Sequence, residues 1–162
     1  MIALQLSNVK ECMSKLLLSE TFDPFLFIEG EIITYNTFTI DGTLKKDFFE
    51  SECAPDRAYS LWKEIREFCF MIIRGKRTPL SFKLIFGLSE SNIEKLLKQQ
   101  KLSFTPADVQ GLYLNIKYDG THLTCITGTS MNIFSLDKSL EQAWDKMVQK
   151  FFTQKQIDYE LL

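Results

Sequence analysis

The chain of 162 residues is 45% hydrophobic and carries 19 Lys and Arg against 21 Asp and Glu, a formal net charge of −2. That length and hydrophobicity predict one folded domain with a substantial core and exclude a disordered chain. The charge excludes a chain-wide excess of cations of the kind that drives phosphate binding, so nucleic-acid binding would need a local basic patch.

The cysteines and the apolar runs indicate where the protein resides. Four cysteines are present without a CxxC spacing: Cys12, Cys53, Cys69 and Cys125. We interpret them as free thiols in a reducing cytoplasm. The first residues lack the cationic region and the continuous apolar run of a signal peptide. The longest apolar run, Phe68 to Ile73, is far shorter than the roughly 20 residues that span a bilayer. We therefore expect a cytoplasmic protein with no membrane contact.

The first half of the chain alternates strand and helix signals. An apolar run ends at Ser7, which is placed to cap a helix, and Pro24 marks a turn before the next apolar run. Apolar residues at three- and four-residue steps predict an amphipathic helix at the end of this half. In chain order the predicted elements are a strand at residues 2–7, a helix at 8–19, a strand at 26–32, a strand through 37–43, a short strand at Phe48 and a helix through 61–69.

The second half repeats this order. The tetrapeptide Ile40–Thr43, IDGT, has a counterpart in Ile126–Thr129, ITGT, and the same alignment places Phe48 on Phe134. We predict an internal duplication of a βαβββα unit, with halves of about 1–77 and 78–162 within a single domain. Because the hydrophobic pattern of any α+β protein can be slid into partial agreement with itself, chance similarity is the alternative interpretation.

The strongest local signal is the stretch LYLNIKYDGTHLTCIT, residues 112–127. Apolar residues alternate there with Tyr113, Asn115 and Lys117, and Asp119-Gly120 predicts a two-residue type I′ hairpin turn. One face of this hairpin is apolar and the other is mixed. The predicted fold is therefore α+β, an antiparallel sheet with helices packed on one face and the other face open.

One strand does not match its counterpart. The alignment puts Phe38 on Thr124, so that an aromatic residue stands where an outward polar residue is expected. Either a β-bulge changes the register, or Phe38 and Ile40 form an exposed apolar patch. We favour the bulge.

The stretch RGKRTPLSFK, residues 74–83, joins the halves and is the clearest basic cluster. One interpretation is an anion or nucleic-acid contact, with Gly75 letting backbone amides approach a phosphate. The favoured interpretation is a helix end, with Gly75 as a left-handed stop and Pro79 preventing continuation. The candidate binding residues are the cations of this stretch and two residues of the mixed sheet face: Arg74, Lys76, Arg77, Lys83, Tyr113 and Lys117.

Signals for catalysis or metal binding are weak. His122 is the single histidine, and no second histidine or spaced thiol pair accompanies it for a zinc site. Asp41, Asp47 and Asp119 fall in turn sequences, where aspartate bonds nearby backbone amides. Ser130 lacks a nucleophile-elbow pattern, and no phosphate-loop or HExxH motif occurs. We predict no catalytic residue, no metal and no cofactor.

Most of the 14 phenylalanines are expected to pack in the core, because they lie in apolar runs or at helical spacing. Tyr113 is the exception, on the mixed strand face. The residues expected in the core are Phe22, Phe25, Phe27, Phe68, Phe70, Phe151 and Phe152.

Five phrases carry a resemblance to a known family: NTFTIDG, GKRTPLSFK, LNIKYDG, TGTS and LDKSLEQAWDKMVQKF. Over nearly the full chain they resemble a family of uncharacterised small bacterial proteins, known as a domain of unknown function. The resemblance implies no activity, cofactor or site residue.

The predicted topology is similar to the TATA-box-binding-protein fold, and alternatively to one domain of a sliding clamp. Both relatives touch nucleic acid, but a shared fold does not by itself imply a shared function. The alignment places Glu29 and Glu31 on Asn115 and Lys117, the positions that would line the open sheet face. Carboxylates there would repel a duplex.

The sequence favours a non-catalytic cytoplasmic binding or scaffold module that uses the open sheet face or the basic connector. The expected partner is another protein or a second copy of the chain. One alternative is a nucleic-acid-associated protein that uses Arg74 to Arg77. A second alternative is a small-substrate enzyme, because catalytic carboxylates need no motif.

Overall fold

The structure, a computed structural model, describes residues 1–50 and 52–162. Within these residues, eight strands form one antiparallel sheet: β1 (Ala3–Leu6), β2 (Leu26–Ile33), β3 (Thr37–Asp41), β4 (Ser60–Leu61), β5 (Ser81–Gly87), β6 (Val109–Tyr118), β7 (Leu123–Met131) and β8 (Tyr159–Leu161). The four helices are α1 (Val9–Leu17), α2 (Trp62–Ile73), α3 (Glu90–Gln99) and α4 (Ser139–Gln154). The strand order is β3-β2-β5-β6-β7-β1-β8, and β4 pairs with β2 beyond the end of β3. The predicted α+β class is confirmed.

The sheet buries one of its faces against the helices. Residues that face the core stand opposite one another on neighbouring strands, as Leu84 does with Ile116, and Ile116 with Cys125. All four helices add side chains to the same buried cluster, including Trp62 and Trp144. Burying each such apolar side chain stabilises the fold by roughly 1.5–3 kcal/mol. No helix in the described residues is long and apolar enough to cross a membrane.

The aromatic core agrees with the sequence prediction at all but one position. Four of the predicted residues are buried and Phe70 and Phe151 are partly buried, the four being Phe22, Phe25, Phe27 and Phe152. Phe68 is 61% exposed, so its predicted burial is wrong. The buried face of α2 carries Trp62 and Cys69. Phe68 lies about 100° around the helix from Cys69, which places it away from that face.

Both halves begin with a strand, a helix and a hairpin, but β4 precedes the last helix of the first half, β8 follows the last helix of the second, and the pairing differs. Strands β1 and β5 begin the two halves, yet β1 pairs with β7 and β8 whereas β5 pairs with β2 and β6. The predicted third strand is wrong at both positions, because Phe48 ends a 3₁₀ helix and Phe134 lies outside any strand.

The register of β3 differs from the prediction. Phe38 stands opposite Ile32 and Ile40 opposite Gly30, so both side chains lie on the core face, and this pairing contains no bulge. Five residues separate Ile32 from Phe38, whereas four separate the paired residues Tyr118 and Leu123. The longer turn, rather than a bulge in β3, shifts the register by one residue.

Because of this shift, the two matching tetrapeptides place their isoleucines on opposite faces of the sheet. Ile40 faces the core, whereas Ile126 pairs with Asn115 on the open face. A one-residue slip reverses every side chain of a strand, which accounts for the difference. A bulge does occur nearby, in β2 between Phe27 and Glu29 where it pairs with β5.

The predicted hairpin of β6 and β7 is confirmed, but its turn lies one residue later. The N–H of Asp119 donates to the carbonyl of His122 at 3.1 Å, which makes Gly120 and Thr121 the central residues. Gly120 has a φ of +101° and Thr121 has no positive φ. A type I′ turn needs positive φ at both central positions, so the predicted type I′ is wrong.

Candidate binding groove

Helix α1 supplies one wall of a groove on the helical face of the sheet. Its start is capped by Asn8, whose side-chain oxygen accepts the N–H of Glu11 at 3.1 Å. Cys12 and Leu16 are buried in the core. Four-residue steps then place three apolar side chains along a neighbouring flank that lines the groove: Val9, Met13 and Leu17.

The last turn of α2 supplies the opposite wall through Phe70 and Ile73. The helix ends at Ile73, and Arg74 already has an extended backbone with ψ of 146°. Gly75 follows with φ of +155°, a region that favours glycine. The predicted helix end at this point is confirmed, but a φ of +155° lies outside the left-handed helical region, so Gly75 is not the predicted left-handed stop.

The connector, which we define as residues 74–79, crosses the end of the groove. Pro79 is buried, and the N–H of Leu80 donates to the carbonyl of Ile33 at 2.8 Å. The burial of Pro79 and this hydrogen bond hold the end of the connector against the sheet. The preceding residues, 74–78, remain exposed.

The groove has a volume of about 620 Å³ and is mostly apolar. Its described lining carries three cations and no carboxylate: Lys10, Arg74 and Arg77. This local excess of positive charge contrasts with the net charge of −2 of the chain. Guanidinium groups bind carboxylates and phosphates through paired hydrogen bonds. The groove can therefore accept an apolar body together with an anionic group.

The six residues that the sequence singled out do not converge on one place. Arg74 and Arg77 line the groove, and Lys76 lines a neighbouring hollow beside Tyr35 in the β2–β3 turn. Lys83 and Lys117 are direct cross-strand neighbours on β5 and β6, but on the open face of the sheet. Tyr113 lies on that same face, toward the opposite end of β6.

The open sheet face is mixed in charge. Lys83 stands between Lys117 on one side and Glu31 on the other, and Glu29 follows on β2. Both carboxylates are exposed. A continuous positive stripe is therefore interrupted at β2, where a phosphate backbone would meet negative charge.

Tyr113 lines a second hollow, of about 420 Å³, near Tyr59 and the start of α3. Burial raises the pKa of the Tyr113 hydroxyl, with a smaller contribution from Tyr59. The backbone carbonyl of Tyr113 accepts the indole N–H of Trp144 at 3.1 Å. The residue thus joins the open face to helix α4.

The candidate catalytic groups lie apart from the groove. Nδ1 of His122 lies 3.4 Å from Oδ2 of Asp119 in an exposed turn. Hydrogen bonds from the backbone N–H groups of His122 and Thr121 lower the pKa of Asp119. The backbone N–H of Thr43 likewise lowers the pKa of Asp41. Asp47 lies in the exposed 3₁₀ helix. The described residues contain no group of three or more His, Cys, Asp or Glu that could hold a metal ion.

Lys10 belongs to the groove but was missed in the sequence. It precedes the groove cations by more than sixty residues, and no local pattern links it to them. The apolar residues of α1 recur at the three- and four-residue steps of one ordinary buried stripe, so the pattern did not mark Val9 and Met13 as the wall of a groove.

The fold and the groove define a class of protein, an α+β domain with one open antiparallel sheet and a basic apolar groove on its helical face. The chain belongs to the family of unknown function DUF5721, which it matches over residues 15–160. The resemblance to a domain of unknown function is thereby confirmed. Comparison with curated proteins and with solved structures gives no match.

Proposed function

We propose that this protein is a non-catalytic binding module, and that its ligand is an apolar molecule carrying a carboxylate or phosphate group. The observation that carries the proposal is the placement of Lys10, Arg74 and Arg77 around an apolar groove without a carboxylate. The apolar part of the ligand lies between α1 and α2. The anionic group lies at the connector.

The dimensions and lining of the groove support a small ligand. Sites for small molecules commonly have volumes of about 300–1,000 Å³ and combine apolar walls with a few charged groups. Each Å² of apolar surface removed from water contributes about 25 cal/mol, so an aliphatic chain against Met13, Phe70 and Ile73 gains affinity from burial. The cations then select the charged end.

The direct test is calorimetric titration with dodecanoate below its micelle concentration and, separately, with dodecanol below its solubility limit. Dodecanoate should bind and dodecanol should bind more weakly, because only the carboxylate pairs with the arginines. The double substitution Arg74→Ala and Arg77→Ala should remove most of this preference. As a matched control, Lys146→Ala with Lys150→Ala removes two cations from the smaller groove between α3 and α4. Absence of dodecanoate binding, or equal loss in the control, would reject the proposal.

Nucleic acid is the competing ligand, since Arg74, Lys76 and Arg77 are exposed on one short segment. The carboxylates Glu29 and Glu31 on the open face weigh against a duplex. A titration with a single-stranded oligonucleotide at low salt separates the two. Binding that disappears in the triple alanine variant of the connector, without any dodecanoate binding, would favour nucleic acid.

The internal duplication and the cytoplasmic location are also proposals. A common origin of the halves is supported by the shared order of strand, helix and hairpin, as in the TATA-box-binding-protein topology, although their pairing differs. A reducing compartment is supported by three buried free thiols: Cys12, Cys69 and Cys125.

A further inference from the structure

Strand β3 forms one edge of the sheet, and β2 is its only strand partner in the described residues. The N–H of Gly42 donates to the carbonyl of Ile28 on β2 at 2.8 Å. The backbone N–H and C=O groups of successive residues point to opposite sides of a strand. Those of Phe38 and Ile40 therefore also point toward β2. The N–H and C=O groups of Thr39 and its odd-numbered neighbours therefore point away from the sheet.

Apart from the charge of Asp41 and the short length of β3, the edge lacks the devices that usually prevent strand pairing. Such devices are lysines, prolines, bulges and covering segments. The sequence of β3 is TFTID, and its pairing with β2 is regular throughout. Thr37, Thr39 and Asp41 are exposed. These exposed residues leave the edge of β3 accessible to a second strand.

The strand is complementary to itself in one register. If two copies pair antiparallel about Thr39, Phe38 of each stands opposite Ile40 of the other, and Thr37 stands opposite Asp41. Aromatic and β-branched residues form favourable cross-strand pairs. A pair centred on Asp41 would instead bring two carboxylates together, which is unfavourable. The register about Thr39 is therefore selected by both apolar contact and charge.

Helix α2 offers additional apolar surface beside this edge. Phe68 and Met71 are each 61% exposed. Phe68 lies about 200° around the helix from Phe70, which faces the groove toward α1. The flank that carries Phe68 thus faces away from α1, on the side where the sheet ends with β3. Tyr35, 87% exposed, contacts the ring of Phe38 at a centroid distance of 6.1 Å and extends the same surface.

We propose that two copies of this chain form a symmetric dimer through antiparallel pairing of β3 and contact between the Phe68 flanks of α2. Stable interfaces bury about 1,200–2,000 Å² in total, and a pair of five-residue strands alone covers too little. The α2 flank and Tyr35 supply the remaining apolar area. The groove lies on the opposite flank of α2 and stays open in the dimer.

The first test is the mass in solution, by sedimentation equilibrium at the highest soluble concentration. The wild-type chain should have twice its monomer mass of 18.9 kDa. Thr39→Pro removes only an outward N–H and is compatible with an edge strand, so it should yield a folded monomer. Thr39→Val keeps the backbone donor and should stay dimeric.

The contribution of α2 is tested by Phe68→Glu, which should also yield a monomer. Phe134→Glu is its matched control, because Phe134 is 90% exposed in the β7–α4 loop and lies outside the proposed interface. A monomeric wild-type chain would overturn the proposal. A dimer that persists in both Thr39→Pro and Phe68→Glu would also overturn it, since another surface would then hold the copies together.

The register is tested by cysteine cross-linking in a Cys53→Ser background, which removes the exposed native thiol. Residues of a hydrogen-bonded pair have Cα atoms about 5.5 Å apart, within the range of a disulfide. Thr39→Cys should therefore form a disulfide-linked dimer under mild oxidation. Thr37→Cys should not form this disulfide, because each introduced cysteine stands opposite Asp41 of the other copy. The reverse result would contradict the proposed register.

Discussion

The indole Nε1 of Trp62, at the start of α2, donates a hydrogen bond of 3.0 Å to the backbone carbonyl of Leu16 near the end of α1. Trp62 is completely buried, and Leu16 nearly so. A helix end leaves its last carbonyls without intrahelical partners, so the indole satisfies one of them. This bond also joins the two helices that form the walls of the groove.

Replacing Trp62 by Phe should lower both stability and ligand binding. The change leaves a buried carbonyl without its donor, at a cost of about 1–3 kcal/mol in the free energy of unfolding. Trp144→Phe breaks the corresponding bond to Tyr113 and should cost a similar amount, yet leave dodecanoate binding intact. Urea unfolding and calorimetry measure the two effects. Equal loss of binding in both variants would contradict the role assigned to Trp62.

Lys15 on α1 should stabilise the end of α4. Its Nζ donates to the carbonyls of Lys155 and Gln156, each at 2.7 Å, where the helix carbonyls are free. Lys15→Met should lower the free energy of unfolding by about 1 kcal/mol.

Lys98→Met is the control for Lys15, because Lys98 forms an exposed ion pair with Glu94 on a single helix. Such pairs contribute less than about 0.5 kcal/mol. Urea denaturation of the two variants compares the effects. If Lys98→Met lowered the free energy of unfolding as much as Lys15→Met does, the hydrogen bonds from Lys15 to the end of α4 would contribute nothing beyond an ordinary ion pair.

The glycines of the two matching tetrapeptides should respond differently to substitution. A Cβ at Gly42 would collide with the backbone carbonyl of Phe27, which cannot yield without moving β2. At Gly128 the nearest atom to such a Cβ is the Cβ of Tyr113, at 3.8 Å. Gly42→Ala should cost about 2 kcal/mol or more, and Gly128→Ala less than about 1 kcal/mol. Thermal unfolding measures both, and equal effects would contradict the register described for β3.

The sequence predicted the parts of this fold that depend on local pattern. The β6–β7 hairpin, the core face of α4 through Trp144 and the helix end before Gly75 follow from periodicity and turn chemistry. The pairing of β1 with β7 does not, because it joins distant segments through backbone groups common to all residues. The position of Ile40 was missed for a similar reason, since one extra turn residue reverses a strand without altering its alternation.

The groove was predicted in part for the same physical reasons. Arg74 and Arg77 stand out because they are close in sequence to each other and to a helix end. Lys10 and Met13 do not, because only the packing of α1 against α2 brings them to the same place. Lys83 was grouped with the connector cations because it is close to them in sequence, but it lies with Lys117 on the open face of the sheet.

The buried thiols should make stability depend on alkaline pH. Burial raises the pKa of Cys69 and of Cys125 from 9.0 to about 12. The unfolded chain releases these protons at lower pH than the folded chain, so the stabilisation is complete below pH 9 and is lost between pH 9 and 12. At pH 10 each thiol should lower the free energy of unfolding by roughly 1 kcal/mol. Urea unfolding at pH 8 and pH 10 measures the difference.

The double substitution Cys69→Ala with Cys125→Ala is the comparison for that pH dependence. Its core is less well packed, so its stability is lower at both pH values, but the difference between pH 8 and pH 10 should shrink. An unchanged pH dependence would assign the effect to other groups, such as Tyr113.

The central claim, that the groove between α1 and α2 is the binding site, is tested most directly by mapping amide chemical shifts during a titration with dodecanoate. The account predicts that the largest changes fall on α1 around Lys10 and Met13, on Phe70 and Ile73, and on residues 74–78. Changes confined to the open sheet face around Lys83 and Lys117, or to the α3–α4 groove around Lys146, would contradict it.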